Sequence, residues 1–304
     1  MTGADLSTTI GPLHLKNPVM VASGTASYGE EQSRVFPLNR LGAFVTKSIT
    51  LKPRQGNPPD RVIETPSGML NSIGLQNVGV EEFLKKKLPF LRKEKVPVIV
   101  NIAAKRIEDY AILIARFSEE KGIAGFELNV SCPNVKEGGL EFGVNPKCIT
   151  EIVRGVRRET RLPLITKLSP NVTDIVTMAK AAMEGGSDAV SLVNTFLAMA
   201  IDIRKKGPIL STTTGGLSGP AIKPIALRMI WQVYRVLRCP IVGIGGIMNA
   251  EDAIEMMMAG ASAVQVGTAN FVNPKAPLEI LEGLQTYAQQ EKIRRLSDRV
   301  GVIA

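Results

Sequence analysis

The sequence predicts an α/β protein of the closed (β/α)8 TIM-barrel class, and three observations carry that reading. Eight strand-like apolar runs are each followed by an amphipathic helical pattern along 304 residues. The runs are near-continuous Val/Ile/Leu stretches rather than alternating ones, as parallel strands covered on both faces require. No Pro/Gly/Ser-rich linker or shift in composition divides the chain, so residues 1–304 are expected to form a single domain.

The elements follow in order. Leu6–Ile10 and Leu13–Leu15, joined by Gly11-Pro12, read as a small hairpin ahead of the barrel. Barrel strands are expected at Pro18–Ala22, Ala43–Lys47, Val98–Asn101, Gly125–Asn129, Pro163–Lys167, Ala189–Asn194, Ile241–Ile244 and Ala263–Gly267. Helices are expected near Glu30–Arg40, Val80–Glu94, Ile107–Glu120, Pro146–Glu159, Asp174–Glu184, Ile222–Leu237, Ala250–Met258 and Leu278–Glu291. Met256, Met257 and Met258 on one of these helices read as core. Two insertions, Ser48–Gly79 after strand two and Thr195–Gly219 after strand six, read as long functional loops at the C-terminal face.

Composition narrows the function. The chain is 44% apolar and 21% charged, which suits a packed core. Cys132, Cys148 and Cys239 are odd in number and widely spaced, which offers neither a disulfide framework nor a zinc or iron–sulfur ligand set, so no metal is expected. The start of the chain lacks a basic and apolar leader, and no apolar run reaches the roughly 18 residues of a membrane span. A cytoplasmic protein is expected. The net charge of +9 suits nucleic acid, a phosphorylated cofactor, an anionic substrate or an acidic partner subunit, although its small clusters at Lys85–Lys87 and at Lys292, Arg294 and Arg295 read as solvated faces.

In such barrels the chemistry sits at the C-terminal strand ends. Strands two and five end in Lys47 and Lys167; strands three, four and six end in Asn101, Asn129 and Asn194. Asparagine offers one acceptor and two donors without charge, which matches a planar heterocycle edged with N–H and C=O groups, and Asn71, Asn77 and Asn134 lie in nearby loops. The lysines supply fixed positive charge for an anion. After strands seven and eight, Gly245, Gly246, Gly267 and Thr268 free backbone amides for a phosphate, with a helix N-terminus behind them. No strand ends in Asp or Glu, and the only histidine, His14, lies in the hairpin at the opposite end. Cys132, held in extended geometry by Pro133 on a loop beyond strand four, is left as the proton-transferring group, under a Gly-rich flap at Lys136–Gly143.

Asn-Val-Ser-Cys-Pro-Asn at 129–134 resembles the active-site signature of class 1 dihydroorotate dehydrogenases. Thr46-Lys-Ser48, Asn71–Asn77, Val193-Asn-Thr195, Gly215–Gly219 and Gly245-Gly246 fall where that family places its motifs, and Gly56–Val62 and Ser218–Pro224 are most similar to the 1B type. The resemblance covers essentially the whole chain. It implies an FMN lined by Ser23, Lys47, Ser48, Asn101, Asn129, Lys167, Val193 and Gly219, with its phosphate at Gly245, Gly246, Gly267 and Thr268. Orotate or dihydroorotate would be held by Lys47, Asn71, Ser72, Ile73, Gly74, Leu75, Asn129, Asn194 and Thr195. Cys132 would take the C5 proton as the C6 hydride passes to the flavin, and Lys167 would offset charge on the reduced ring. The 1B type also implies an α2β2 assembly about a catalytic homodimer, in which a partner subunit holding FAD and a [2Fe–2S] cluster passes electrons to NAD+. Three other readings compete: a tRNA dihydrouridine synthase, which the charge would suit but which needs a longer C-terminal region; a Schiff-base aldolase using Lys47 or Lys167; and a flavin protein that only relays electrons.

Overall fold

The structure is a computed structural model and describes residues 4–131 and 142–304. Its strands, in chain order, are β1 (Thr8–Ile10), β2 (Leu13–Leu15), β3 (Val19–Val21), β4 (Ala43–Val45), β5 (Val62–Thr65), β6 (Gly68–Asn71), β7 (Val98–Ile102), β8 (Ile123–Asn129), β9 (Leu164–Lys167), β10 (Ala189–Leu192), β11 (Phe196–Met199), β12 (Ile201–Asp202), β13 (Gly207–Pro208), β14 (Thr214–Ser218), β15 (Ile241–Ile244) and β16 (Ala263–Val266). The eight strands β3, β4, β7, β8, β9, β10, β15 and β16 close into a barrel in sequence order, and every neighbouring pair is parallel. These are the eight expected strands: Ile241–Ile244 has the expected bounds, and each of the others differs by one or two residues at an end.

Strand parity divides the apolar side chains into two sets. One set, including Val19, Val98, Val100, Phe126 and Leu128, packs outward against the helices. The other points into the barrel: Met20, Ala22, Ala43, Val45, Ile99, Ile165, Ala189, Val242, Ile244 and Ala263 form a separate buried cluster. Ile10 and Leu15 from the β1–β2 hairpin join it and stopper the N-terminal end. The hairpin is tied there by the Thr8 hydroxyl, which donates to the carbonyl of Ser262 at 2.7 Å, one residue ahead of β16. His14 is exposed on this hairpin, at the end away from the lysine-bearing strand termini.

Two expectations are corrected. The segment 30–40 is not an α-helix but two short 3-10 turns, Gln32–Arg34 and Leu38–Arg40. Pro37 lies between them in extended geometry, lacks an N–H and disfavours helix in the residue before it. The two insertions are not structureless. They supply the strands of one antiparallel sheet in the order β11-β14-β6-β5, so residues from both loops hydrogen-bond to each other over the barrel mouth. Their strands are short and half-exposed, which gave little periodicity to read.

The helix expected over 80–94 forms as Gly79–Glu82 and Leu88–Lys93 joined by a π turn at Phe83–Lys87. A proline ring in a helix clashes with the carbonyl four residues earlier, here that of Lys85, and the wider turn relieves this for Pro89. Met256 and Met257 are buried core, as expected. Among the described residues no helix is long and apolar enough to cross a membrane.

Ile10→Ala removes a fully buried side chain from the stopper, where the hairpin cannot easily collapse inward. It is expected to lower unfolding stability by about 2–5 kcal/mol, against a change within about 0.5 kcal/mol for the exposed control His14→Ala. Denaturant titration of both variants measures the difference.

Candidate active site

The parity that packs the barrel also builds its mouth. Two residues beyond inward-facing Val45, Ile99 and Ile165 come Lys47, Asn101 and Lys167, and two beyond Glu127 comes Asn129. In register, Asn129 lies beside Lys167 and Ser191 lies beside Lys167 on the other flank. Asn194 follows β10, and its side-chain amide donates to Asn129 Oδ1 at 3.1 Å. The structure thus gathers the lysines and asparagines predicted from the strand ends.

Below them is a group the strand-end survey overlooked. Glu127 is fully buried inside the barrel. Its carboxylate accepts from Asn101 Nδ2 at 2.6 Å, Ser191 Oγ at 2.9 Å and Gln265 Nε2 at 2.7 Å. Strands indeed end without a carboxylate, but one lies a single inward step deeper. The signal was available: a charged residue inside the apolar run Gly125–Asn129 needs buried partners. Asn101 in turn accepts from the Ser48 hydroxyl at 2.5 Å, and Ser48 Oγ receives a longer contact of 3.4 Å from Asn129 Nδ2.

Among the described residues the two lysines form no ion pair. Lys167 is only 6% exposed, and among the described residues it makes no hydrogen bond or ion pair. Burial holds the Lys47 ammonium below the ordinary lysine pKa, and the neighbouring Arg61 charge adds to this. A half-buried cation next to a second cation is electrostatically costly unless an anion joins it.

The segment Asn71 to Leu75 forms one wall. Gly74 and Leu75 adopt positive φ (+72° and +57°), and a side chain at Gly74 would strike Asn57 at 2.6 Å. Asn57 clamps the turn by donating its backbone N–H to Ile73 O and its side-chain amide to Ser72 O. Asn71 Nδ2 reaches Gly216 O at 3.3 Å across the small sheet. The hydroxyls of Ser72 and Ser131 are buried with no hydrogen-bond partner among the described residues. Thr195 also lies here, with its backbone N–H donated to Asn194 Oδ1. Asn77, by contrast, is committed to the loop: its side chain binds the Thr50 and Gly79 amides and the Leu75 carbonyl.

Around the other side, Ser23 follows β3 half-buried, and Val193 is buried just beyond β10 with its N–H on the Ile244 carbonyl. Gly219, Gly245 and Gly246 all have positive φ (+99°, +127° and +75°). A Cβ on Gly246 would come within 2.9 Å of the Lys223 nitrogen and 3.0 Å of the Gly219 carbonyl, so the backbones approach as only glycine permits. Thr268 donates its hydroxyl to Ser218, next to Gly219, and Gly267 has only Ala22 near its Cβ direction, at 3.5 Å. The helix termini behind this cradle contribute less than the sequence suggests. Asp252 already accepts from the Met248 and Asn249 amides in a capping box at the helix Ala250–Ala259, and the helix after Thr268 has only four residues. Among the described residues, no backbone acceptor meets the N–H groups of Gly245 and Gly246.

Cys132, Asn134 and most of the flap lie outside the described residues. The flap's last two residues are described and are core: Phe142 is buried edge-on to Tyr110, and Gly143 N–H donates to Val130 O. Cys148 and Cys239 are both buried, and burial pushes the Cys239 thiol up to about 11.

A family model described as dihydroorotate dehydrogenase matches residues 5–287. The chain belongs to the dihydroorotate dehydrogenase family. It is 53% identical over 299 residues, 98% of each chain, to a protein of Pelobacter propionicus named "Dihydroorotate dehydrogenase B (NAD(+)), catalytic subunit". Proteins of the same name from Geotalea uraniireducens and Desulforamulus reducens are 52% and 53% identical, each with 98% of both chains covered.

Lys47→Met removes a charge whose burial is unfavourable in the ligand-free protein. The ligand-free variant is expected to be at least as thermally stable as the parent near neutral pH. The difference should shrink as pH rises through the lysine's depressed folded pKa, because the parent then sheds the costly charge. Melting curves of both proteins between neutral and alkaline pH measure it.

Proposed function

We propose that this chain oxidises (S)-dihydroorotate to orotate in de novo pyrimidine (UMP) biosynthesis, as the catalytic subunit of an NAD+-linked dihydroorotate dehydrogenase. The observation that carries this reading is the pairing of Lys47 and Lys167, which form no ion pair among the described residues, with the amides of Asn101, Asn129 and Asn194 at one barrel mouth. A pyrimidine carboxylate presents that combination of negative charge and alternating N–H and C=O edges.

The cradle and the orphaned buried hydroxyls fit an FMN. Ser23, Lys47, Ser48, Asn101, Asn129, Lys167, Val193 and Gly219 would hold its ring and ribityl chain, and the amides of Gly245, Gly246, Gly267 and Thr268 its phosphate. An FMN bound there supplies the hydride acceptor. Lys47 and Asn71, Ser72, Ile73, Gly74 and Leu75 would orient the substrate with Asn129, Asn194 and Thr195, while the small sheet excludes water. Cys132 would remove the C5 proton as a thiolate, and the buried Lys167 ammonium would favour negative charge developing beside it.

The names of the relatives imply a further subunit. We assign it FAD and a [2Fe–2S] cluster, in a cytoplasmic α2β2 assembly around a catalytic homodimer, with this chain a single domain.

Purified protein is expected to be yellow, and anaerobic dihydroorotate to bleach it; a colourless preparation, or a flavin that dihydroorotate leaves oxidised, overturns the assignment. Cys132→Ala should keep the flavin but slow its reduction about 10²–10⁴-fold. With a thiol base the reduction rate should rise toward alkaline pH, around the ordinary thiol pKa of about 8.5, as followed by stopped-flow absorbance.

A further inference from the structure

The turn that follows β15, Gly245 to Asn249, is gripped from two sides. On one side is the start of the helix Lys223–Leu237. A Cβ on Gly246 would meet the Lys223 Cβ at 2.7 Å and its backbone nitrogen at 2.9 Å, and one on Gly245 would meet the Ala226 Cβ at 3.0 Å. On the other side is Asp252, in the first turn of the helix Ala250–Ala259. Its Oδ2 accepts the backbone N–H groups of Met248 at 2.8 Å and Asn249 at 3.3 Å. Lys223 joins the two sides: its ammonium donates to Asp252 Oδ1 at 2.5 Å and reaches Glu255 Oε2 at 2.9 Å.

A helix cap does not need this lysine, because Asp252 and Asn249 complete their capping box without it. The ion pair links residues 29 positions apart, and its side chains are only 26% and 10% exposed, so solvent screens it less than a surface pair. It has two consequences for the glycines. The carboxylate that takes two amides of the turn is fixed to the helix start on which Gly245 and Gly246 rest. In addition, a bare carboxylate so close to the turn would repel an anion held by the glycine amides, and the ammonium offsets that charge.

We propose that Asp252 and Lys223 are positioning residues for the FMN phosphate: the pair braces the turn that presents the Gly245 and Gly246 amides, and Lys223 cancels the carboxylate charge behind it. The proposal rests on the functional reading above. Both side chains act through the turn rather than by touching the flavin.

Riboflavin shares the ring and ribityl chain of FMN but lacks the phosphate, so the ratio of the two affinities isolates the turn. The test titrates each flavin into flavin-stripped full-length protein and reads the quenching of flavin fluorescence. Lys223→Met is expected to weaken FMN binding about 10–100-fold, the worth of one or two charge-assisted hydrogen bonds, and to leave riboflavin within about 3-fold of the parent. Lys223→Arg keeps the charge and should hold FMN within about 3-fold. Adding Asp252→Asn to Lys223→Met should regain part of the loss, because the amides keep an acceptor and no uncompensated charge remains.

Equal losses for FMN and riboflavin in Lys223→Met would make the pair a general brace of the fold and overturn the proposal. Unchanged FMN affinity in that variant overturns it too, as does a double variant no better than the single one. If Lys223→Met does not fold, Asp252→Ala removes acceptor and charge together and should show the same FMN-specific loss; equal losses or none there overturn the proposal. A parent protein that binds FMN no more tightly than riboflavin would instead sink the phosphate assignment, and the proposal with it.

Discussion

Eight strands closed on one axis force every second side chain toward the same narrow interior, and that steric constraint governs the rest of the molecule. The lower positions are apolar and are sealed by Ile10 and Leu15. Higher up, the positions become Asn101, Glu127, Ser191 and Gln265, which can exist there only because they satisfy one another. Above these, the side chains are Lys47, Asn129 and Lys167. Three storeys of different polarity are thus stacked by a two-residue repeat. Low dielectric surroundings strengthen the polar contacts in the middle storey and, with no ion pair at Lys47 or Lys167 among the described residues, make the positive charge of the upper one costly without an anion.

The barrel was legible because continuous apolar runs and amphipathic helices both arise from its burial pattern, and all eight strands fall where those runs lie. The mouth was legible for a related reason: a lysine or asparagine that ends an apolar run has nowhere to point but the opening. Local competition hid other features. Pro37 breaks an otherwise helical pattern at 30–40, and the strands of the mouth sheet are too short and too exposed to show a period.

Glu127 escaped notice because attention to the last residue of each strand misses the one two positions earlier on the same face. Asn77 failed in the opposite direction. Its residue type fits a ligand contact, but its hydrogen bonds are already taken by Thr50, Gly79 and Leu75. Residue identity alone does not tell a free amide from an occupied one; partners do. The same accounting shows that the Met248 and Asn249 amides ahead of the helix Ala250–Ala259 are already taken by Asp252.

The sheet that unites the two insertions couples their lengths. Because β6 pairs with β14, Leu70 sits opposite Leu217 and Asn71 opposite Gly216, so segments about 150 residues apart in the chain share one ladder in which a slip of one residue turns every side chain to the other face. Lengthening, shortening or grafting either segment alone breaks that register. A chimaera that keeps the sheet therefore has to exchange the two segments together.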